Sequence, residues 1–453
     1  MIIQTSELKY LEDLYEQQGN QLVMLYGRES CQKEQLLKVF CKDKRFFYYR
    51  ARQASAREQL FQMGLEIEEK YNLKLQRFNY DEFFNRVKSG NPSKLVVVID
   101  EFQYIAKKDI TFMNSILKLK AKKLYPGPVM IIIASSSIVW AESECEERYG
   151  EYLKKLDATI KLKDVAFLDV VRKFPKYTTS QSVEVYGILG GVPGYLDRWN
   201  AQGDVKENIC KHILSRNGFL FKEAESYISI ELRELSVYNT ILAALAAGNN
   251  KLNDLFKVTG FSRAKISVYM KNLMAFDVVE KVISFDTGGW ENAKKGVYQI
   301  SNTFVNFWFR FVYPHLSALY MLTPEEFYDK YIARSLNDYL NRYFIKVCTE
   351  YLTLLNMVGK LPIDIHRIGT WVGKQGNIDI VAQNETRESV VGICNWSEPY
   401  MTRESGMELL DNMKKAKISA DYLYMFSAQG FSEDLVALTK QDQRFILIDM
   451  KEL

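Results

Sequence analysis

Hydrophobic positions in the first 160 residues come in short blocks separated by helical patterns. Gln21-Leu-Val-Met-Leu-Tyr26 is an apolar run ending at Gly27, and Leu36, Leu37, Val39 and Phe40 follow at helical spacing. Arg45-Phe-Phe-Tyr-Tyr49 predicts a second strand, and Ser55 to about Tyr71 predicts a helix. Leu95 to Ile99 and Val129 to Ala134 are unbroken, β-branched runs of strand length, which suits parallel strands covered on both faces. Such alternation of β and α segments predicts a doubly wound α/β sheet.

Beyond residue 160 the pattern changes. Residues 161–235 are mixed, with a Gly-Gly-Val-Pro turn at 190–193 and helical spacing resuming from Val205. Residues 236–315 read as helices followed by a hairpin. One helix is expected from Glu325 to Met357, then strand-like runs around Ile365, Ile378 and Val390, with Tyr422–Phe426 and Phe445–Asp449 closing a second α/β module. At 453 residues, about two to four domains are expected.

Composition changes this picture little. Hydrophobic residues make up 47% and charged residues 26%, and the net charge of +4 supplies no strong field for nucleic acid or membrane. Six scattered cysteines without a C-x-x-C pair, and only three histidines, predict reduced thiols rather than a zinc site or disulfide framework. The N-terminus lacks a basic region followed by an apolar stretch, and no apolar run reaches membrane-helix length. A cytoplasmic protein with no membrane partner is the expectation.

The candidate chemistry begins after the first strand. A phosphate-binding loop reads G-x-x-x-x-G-K-[ST] between a strand and a helix. Its backbone N–H groups cradle phosphates, its lysine reaches the terminal phosphates and its hydroxyl binds magnesium. Here the segment is Gly27-Arg-Glu-Ser-Cys-Gln-Lys-Glu34. Gly27, Arg28 and Lys33 stand at the right spacing; Gln32 replaces the second glycine and Glu34 the hydroxyl residue. Losing the glycine is expected to cost a positive-φ conformation, and a carboxylate at Glu34 is expected to repel a triphosphate, although it is also a conceivable magnesium contact. Asp100 and Glu101, ending the Leu95 run, match the acids that hold magnesium and polarise the attacking water. Ser135, or its neighbour Ser136, ends the next strand where a sensor of the γ-phosphate is expected; the alternative for Ser135 is a helix cap.

Asp100-Glu-Phe-Gln-Tyr104, Leu189-Gly-Gly-Val-Pro-Gly-Tyr-Leu196, Tyr298-Gln-Ile300 and Asn306-Phe-Trp-Phe-Arg-Phe-Val-Tyr-Pro314 together resemble the prokaryotic archaeal-type AAA+ ATPase family. The resemblance runs along nearly the whole chain in order. It implies an α/β multidomain protein: a P-loop ATPase domain over 1–165, a helical lid over 166–235, a winged helix over 236–320 and a restriction-endonuclease-like domain over 321–453. It also implies ATP and Mg as cofactors; Gly27, Arg28 and Lys33 match the family's loop, while Gln32 and Glu34 depart from it, which sets hydrolysis against the family expectation. The candidate site is then Gly27, Arg28, Lys33, Glu34 and Asp100 on the nucleotide, Asp100 on the metal, and Glu101 and Ser135 in catalysis.

Residues 251–281 hold six basic and three acidic residues. Leu252 to Val258 predicts a short helix, Gly260 a turn, and Ser262 the cap of a second helix whose apolar face is Ile266, Tyr269, Met270 and Leu273. Arg263, Lys265 and Lys271 lie off that face, as in a helix-turn-helix whose second helix enters a major groove. Val278 to Phe285 and Gly296 to Ile300 are the expected wing strands, with Gly288-Gly289 and Lys294-Lys295 in the loop. The alternative is a module that packs on protein and binds no DNA.

In the C-terminal module the family resemblance aligns Asp379 with the first acid of a restriction-type nuclease, while Ile393 and Asn395 replace the glutamate and lysine of the second element. One carboxylate without the lysine does not build a competent metal site. A hydrogen-bonded structural role is expected for Asp379, and packing roles for Trp371 and Trp396. The chain as a whole is thus expected to bind ATP with weak or lost hydrolysis and to couple nucleotide state to a DNA- or partner-binding module. The alternative is a pseudoenzyme acting as an interaction protein.

Overall fold

Alternate residues of the first apolar runs enter two different cores. The structure, a computed structural model, describes residues 4–88, 91–122, 127–230, 232–287, 296–373 and 376–452. The chain divides into two units, Met1–Val165 together with Val192–Gly194, and Ala166–Gly191 together with Tyr195–Leu453.

The first unit runs α1 (Thr5–Glu16), β1 (Gln21–Tyr26), α2 (Lys33–Cys41), β2 (Arg45–Arg50), α3 (Ala56–Tyr71), α4 (Tyr80–Lys88), β3 (Leu95–Asp100), α5 (Gln103–Ala106), α6 (Ile110–Ala121), β4 (Val129–Ser135), α7 (Cys145–Leu153) and β5 (Ala158–Lys161). Its sheet is ordered β2-β3-β4-β1-β5 and every pairing is parallel. On one face Leu22, Met24, Val97, Ile99, Ile131 and Ile133 pack with α3, α4 and α6. On the other, Val23, Leu25, Val96, Val98, Met130 and Ile132 pack with α1 and α2. Two covered faces explain why these strands read as continuous apolar runs. Each such side chain contributes about 1.5–3 kcal/mol by leaving water.

The second unit begins with α8 (Phe167–Lys173) and α9 (Thr179–Leu189); α10 (Pro193–Leu196) crosses the division, and α11 (Val205–Ile209) and α12 (Glu223–Ser229) follow. Next come α13 (Leu235–Ala246), α14 (Leu252–Thr259) and α15 (Arg263–Ala275), then an antiparallel ribbon of β6 (Val279–Ile283) and β7 (Gly296–Ile300). Gly288-Gly289 and Lys294-Lys295 lie outside the described residues. The helices α16 (Thr303–Phe307), α17 (Leu316–Met321), α18 (Pro324–Tyr331) and α19 (Leu336–Met357) lead into β8 (Arg367–Val372), β9 (Asn377–Gln383), β10 (Ser389–Asn395), α20 (Arg403–Ala416), β11 (Tyr422–Ser427), α21 (Glu433–Gln441) and β12 (Phe445–Asp449). The sheet order is β12-β11-β10-β9-β8, antiparallel at β8–β9–β10 and parallel from β10 to β12.

The single helix expected from Glu325 to Met357 is two helices. No glycine or proline marks the break at 332–335, which opens at the buried Ile332 with φ −111° and ψ −54°. Among the described residues, no helix is long and apolar enough to cross a membrane.

Candidate functional site

The parallel sheet gathers the candidate residues at its carboxyl edge, where open α/β sheets place their ligands. Strand β4 lies between β1 and β3, so Ser135 and Ser136 fall between the loop after β1 and the acids after β3. Gly27 donates its N–H to the Ser135 carbonyl at 3.2 Å. A Cβ on Gly27 would lie 2.8 Å from the Leu162 carbonyl oxygen, so glycine is required there by close approach.

The loop then curls through a short turn over Glu29–Cys31 into α2. Gln32, at the position where an intact loop has glycine, keeps the left-handed conformation with φ 55° and ψ 38°. The expected loss of the positive φ does not occur; the side chain bears the strain instead, at a cost of roughly 1–2 kcal/mol. No side chain caps the N-terminus of α2. The first N–H groups of a helix have no partner within it, and an anion is their natural acceptor. Val192–Gly194 belongs to this same unit, and a Cβ on Gly194 would lie 2.8 Å from the Ser30 carbonyl oxygen.

Lys33 is buried and turned onto the acids of β3. Its ammonium donates to Asp100 Oδ1 and, at 2.9 Å, to Glu101 Oε1. The second oxygen of Asp100 accepts the Tyr48 hydroxyl at 2.8 Å, and its first also accepts the Glu101 N–H at 3.0 Å. The second oxygen of Glu101 accepts the Gln103 amide at 2.6 Å, the Ser136 hydroxyl at 2.6 Å and the Ser136 N–H at 3.3 Å. Glu101 itself holds φ 55°. Burial opposes ionisation of Glu101, yet the Lys33 ammonium and hydrogen bonds from Ser136, Lys33 and Gln103 hold its carboxyl below its ordinary value. Burial pushes the Tyr48 hydroxyl upward, and Asp100 adds to that.

Ser136, not Ser135, reaches Glu101. Ser135 is fully buried and its hydroxyl accepts the Ser137 N–H at 3.1 Å, closing the turn after β4. Glu34 does not point into the loop: its exposed carboxylate lies 3.3 Å from Arg50 Nη1 at the end of β2. Arg28 pairs with Asp164. Burial pushes the loop thiol of Cys31 up to about 11, which keeps it neutral. Tyr48, Gln103 and Arg50 escaped sequence reading. The one available signal was register: Arg50 sits beside Asp100 once β2 is known to flank β3.

The chemistry of this donor set bears on both groups that an ATPase fold implies. The uncapped α2 terminus fits a phosphate. A magnesium ion does not fit: every carboxylate oxygen of Asp100 and Glu101 already accepts a hydrogen bond, and Glu34 stands in place of a hydroxyl ligand. Among the described residues no three His, Cys, Asp or Glu side chains converge to hold a metal ion.

On α15, Ile266, Met270 and Leu273 are buried, while Arg263, Lys265 and Lys271 are exposed. Tyr269 is half-buried, its hydroxyl on Glu234 and its ring 4.8 Å from Tyr238. Ser262 caps the helix, and Gly260 ends α14 at φ 72°. Arg263 is partly committed: it donates to Asn253 at 3.0 Å and lies 4.4 Å above the Phe256 ring. Lys265 lies 4.8 Å above Phe261.

In the C-terminal sheet, Asp379 accepts the Cys394 N–H at 2.9 Å, and burial pushes its carboxyl up to about 6. Asn395 accepts the Glu398 N–H at 3.1 Å. Trp371 and Trp396 are buried, the latter against Phe344.

Comparison with known proteins agrees with this anatomy. Residues 5–198 match the family described as an ATPase domain predominantly from Archaea, and residues 308–418 match a family described as archaeal and bacterial proteins of unknown function. An uncharacterised protein of Methanocaldococcus jannaschii is 26% identical over 394 residues, 86% of each chain. Among solved structures, the Walker-type ATPase of Pyrococcus abyssi aligns with 68% of this chain and 96% of its own, at 16% identity and a TM-score of 0.48. The ORC2 protein of Aeropyrum pernix aligns with 71% of this chain and 94% of its own, at 11% identity and a TM-score of 0.46. The chain thus carries, in order, an ATPase domain of the predominantly archaeal family over residues 5–198 and, over residues 308–418, a domain of the archaeal and bacterial family of unknown function.

Proposed function

We propose that the first unit binds ATP at the loop Gly27–Glu34, that hydrolysis there is weak or lost, and that nucleotide state is coupled to a DNA- or partner-binding winged helix formed by α13, α14, α15 and the β6–β7 ribbon. The observation that carries nucleotide binding is the loop itself. Gln32 keeps a strained, glycine-like conformation ahead of an uncapped helix terminus, an arrangement whose unpaired N–H groups a phosphate satisfies. Weak hydrolysis follows from the acids: Glu101 is held by Lys33, Gln103 and Ser136, leaving no free oxygen to polarise a water. Isothermal titration of the full chain with ATP tests the reading. Saturable heat that Lys33→Ala changes is expected; no heat at millimolar nucleotide sinks it.

DNA is the favoured partner of the exposed α15 face, where Arg263, Ser267 and Lys271 fall one turn apart and Lys265 stands beside them. A gel-shift series in rising salt is expected to show steep loss of binding. Binding that Lys271→Glu and Lys265→Glu leave unchanged refutes the recognition-helix assignment.

A second reading, a pseudoenzyme that works by interaction alone, draws on the closed Lys33–Asp100–Glu101 group together with Ile393 and Asn395 in the C-terminal sheet. ATP turnover abolished by Glu101→Gln defeats it.

A further inference from the structure

A P-loop ATPase ordinarily presents its phosphates with a divalent cation that the acid after β3 holds, usually through water, and that the hydroxyl after the loop lysine ligates. Neither place is open to a metal in this chain. Asp100 is fully buried, with Lys33 and Glu101 N–H on one oxygen and the Tyr48 hydroxyl, 2.8 Å away, on the other. Glu101 has Lys33 on one oxygen and Gln103 and Ser136 on the other. The donors to the two acids together come from α2, α5, β2, the backbone after β3 and the turn after β4, so no single rotation clears both acids. The ligand hydroxyl is replaced by Glu34, whose carboxylate is 70% exposed and faces Arg50.

Two buried carboxylates demand a compensating cation, and Lys33 supplies it. Positive charge at the mouth of the loop comes from Arg50. Its guanidinium is half exposed, 3.3 Å from Glu34 and 3.8 Å from Glu29. Exposed pairs of this kind are weak and exchange readily for a phosphate oxygen.

We propose that Lys33 and Tyr48 occupy the place of the divalent metal, and that the loop binds nucleoside polyphosphates without one, on the α2 N–H groups and Arg50. The proposal rests on the nucleotide-binding reading above and adds that its metal requirement has been lost.

Titrations of the full chain with ATP, one in EDTA and one in excess magnesium, test it. Dissociation constants equal to within about threefold are expected, and Arg50→Ala is expected to weaken both by about tenfold. Tightening by magnesium of more than about tenfold overturns the proposal. No heat in either titration defeats the nucleotide-binding reading itself. The metal displacement is then judged by manganese titration of the nucleotide-free protein, followed by electron paramagnetic resonance. The unmodified chain is expected to leave manganese free, whereas Lys33→Ala, or Tyr48→Phe should the first variant not fold, is expected to gain one bound ion that Asp100→Asn removes. Manganese bound at Asp100 in the unmodified chain, or no gain in either variant, overturns it.

Discussion

Gln32 concentrates the tension in this site. A residue with a Cβ holds a left-handed conformation that glycine adopts freely, so Gln32→Gly is expected to raise stability by up to about 1 kcal/mol in urea melts. A loss on that substitution would mean the glutamine side chain stabilises the loop by more than the strain it carries. Lys33 has the opposite character. Lys33→Ala strands two buried carboxylates and is expected to cost about 3–5 kcal/mol, read as a large fall in melting temperature before any assay of activity. Asp379 supplies a pH test. Its folded value near 6 lies above its ordinary 3.8, chiefly through burial, so its contribution to stability is present below about 4 and lost as pH rises through 6. A shift of about two units corresponds to roughly 3 kcal/mol. Asp379→Asn is therefore expected to stabilise the protein at pH 7 by an amount of that order, with the gain vanishing in acid melts. A destabilised variant at pH 7 would show that the buried carboxylate is needed in its charged form.

At the level of elements, legibility followed the number of covered faces. The runs ending at Ile99 and Ala134 were plain because both faces of β3 and β4 are buried, leaving no polar position to blur them. Ser262 and Gly260 marked the ends of α15 and α14 because capping and left-handed termination are local chemistry. The break between α18 and α19 carries no glycine or proline, so the local pattern runs through it unmarked. The same limit hid most of the site. Lys33, Asp100 and Glu101 carry recognisable spacing, but Tyr48, Gln103 and Ser136 reach the acids from separate elements that only the sheet order brings together. Ser135 and Ser136 are both candidates by sequence; at a strand end successive side chains point opposite ways, and it is Ser136 whose hydroxyl reaches Glu101. The motif Asn306–Pro314 proved to be packing: Phe307, Trp308, Phe309, Phe311 and Val312 are buried, and Asn306 donates to the Tyr343 hydroxyl at 2.8 Å.

For the whole molecule, the division into units does not follow the order of the chain. The first unit takes in Val192–Gly194 from a stretch whose neighbours on both sides belong to the second. Gly194→Val is expected to force its new side chain against the Ser30 backbone and to lower the melting temperature, at a cost of about 1–3 kcal/mol. Unchanged melting would mean that this segment yields at no cost. The consequence concerns how the gene can be divided. An expression fragment stopped at residue 165, where the parallel sheet is already complete, would omit the three residues that cover Ser30. A fragment meant to keep the first unit whole has to retain Val192–Gly194, and the sheet alone is a misleading guide to where that unit ends.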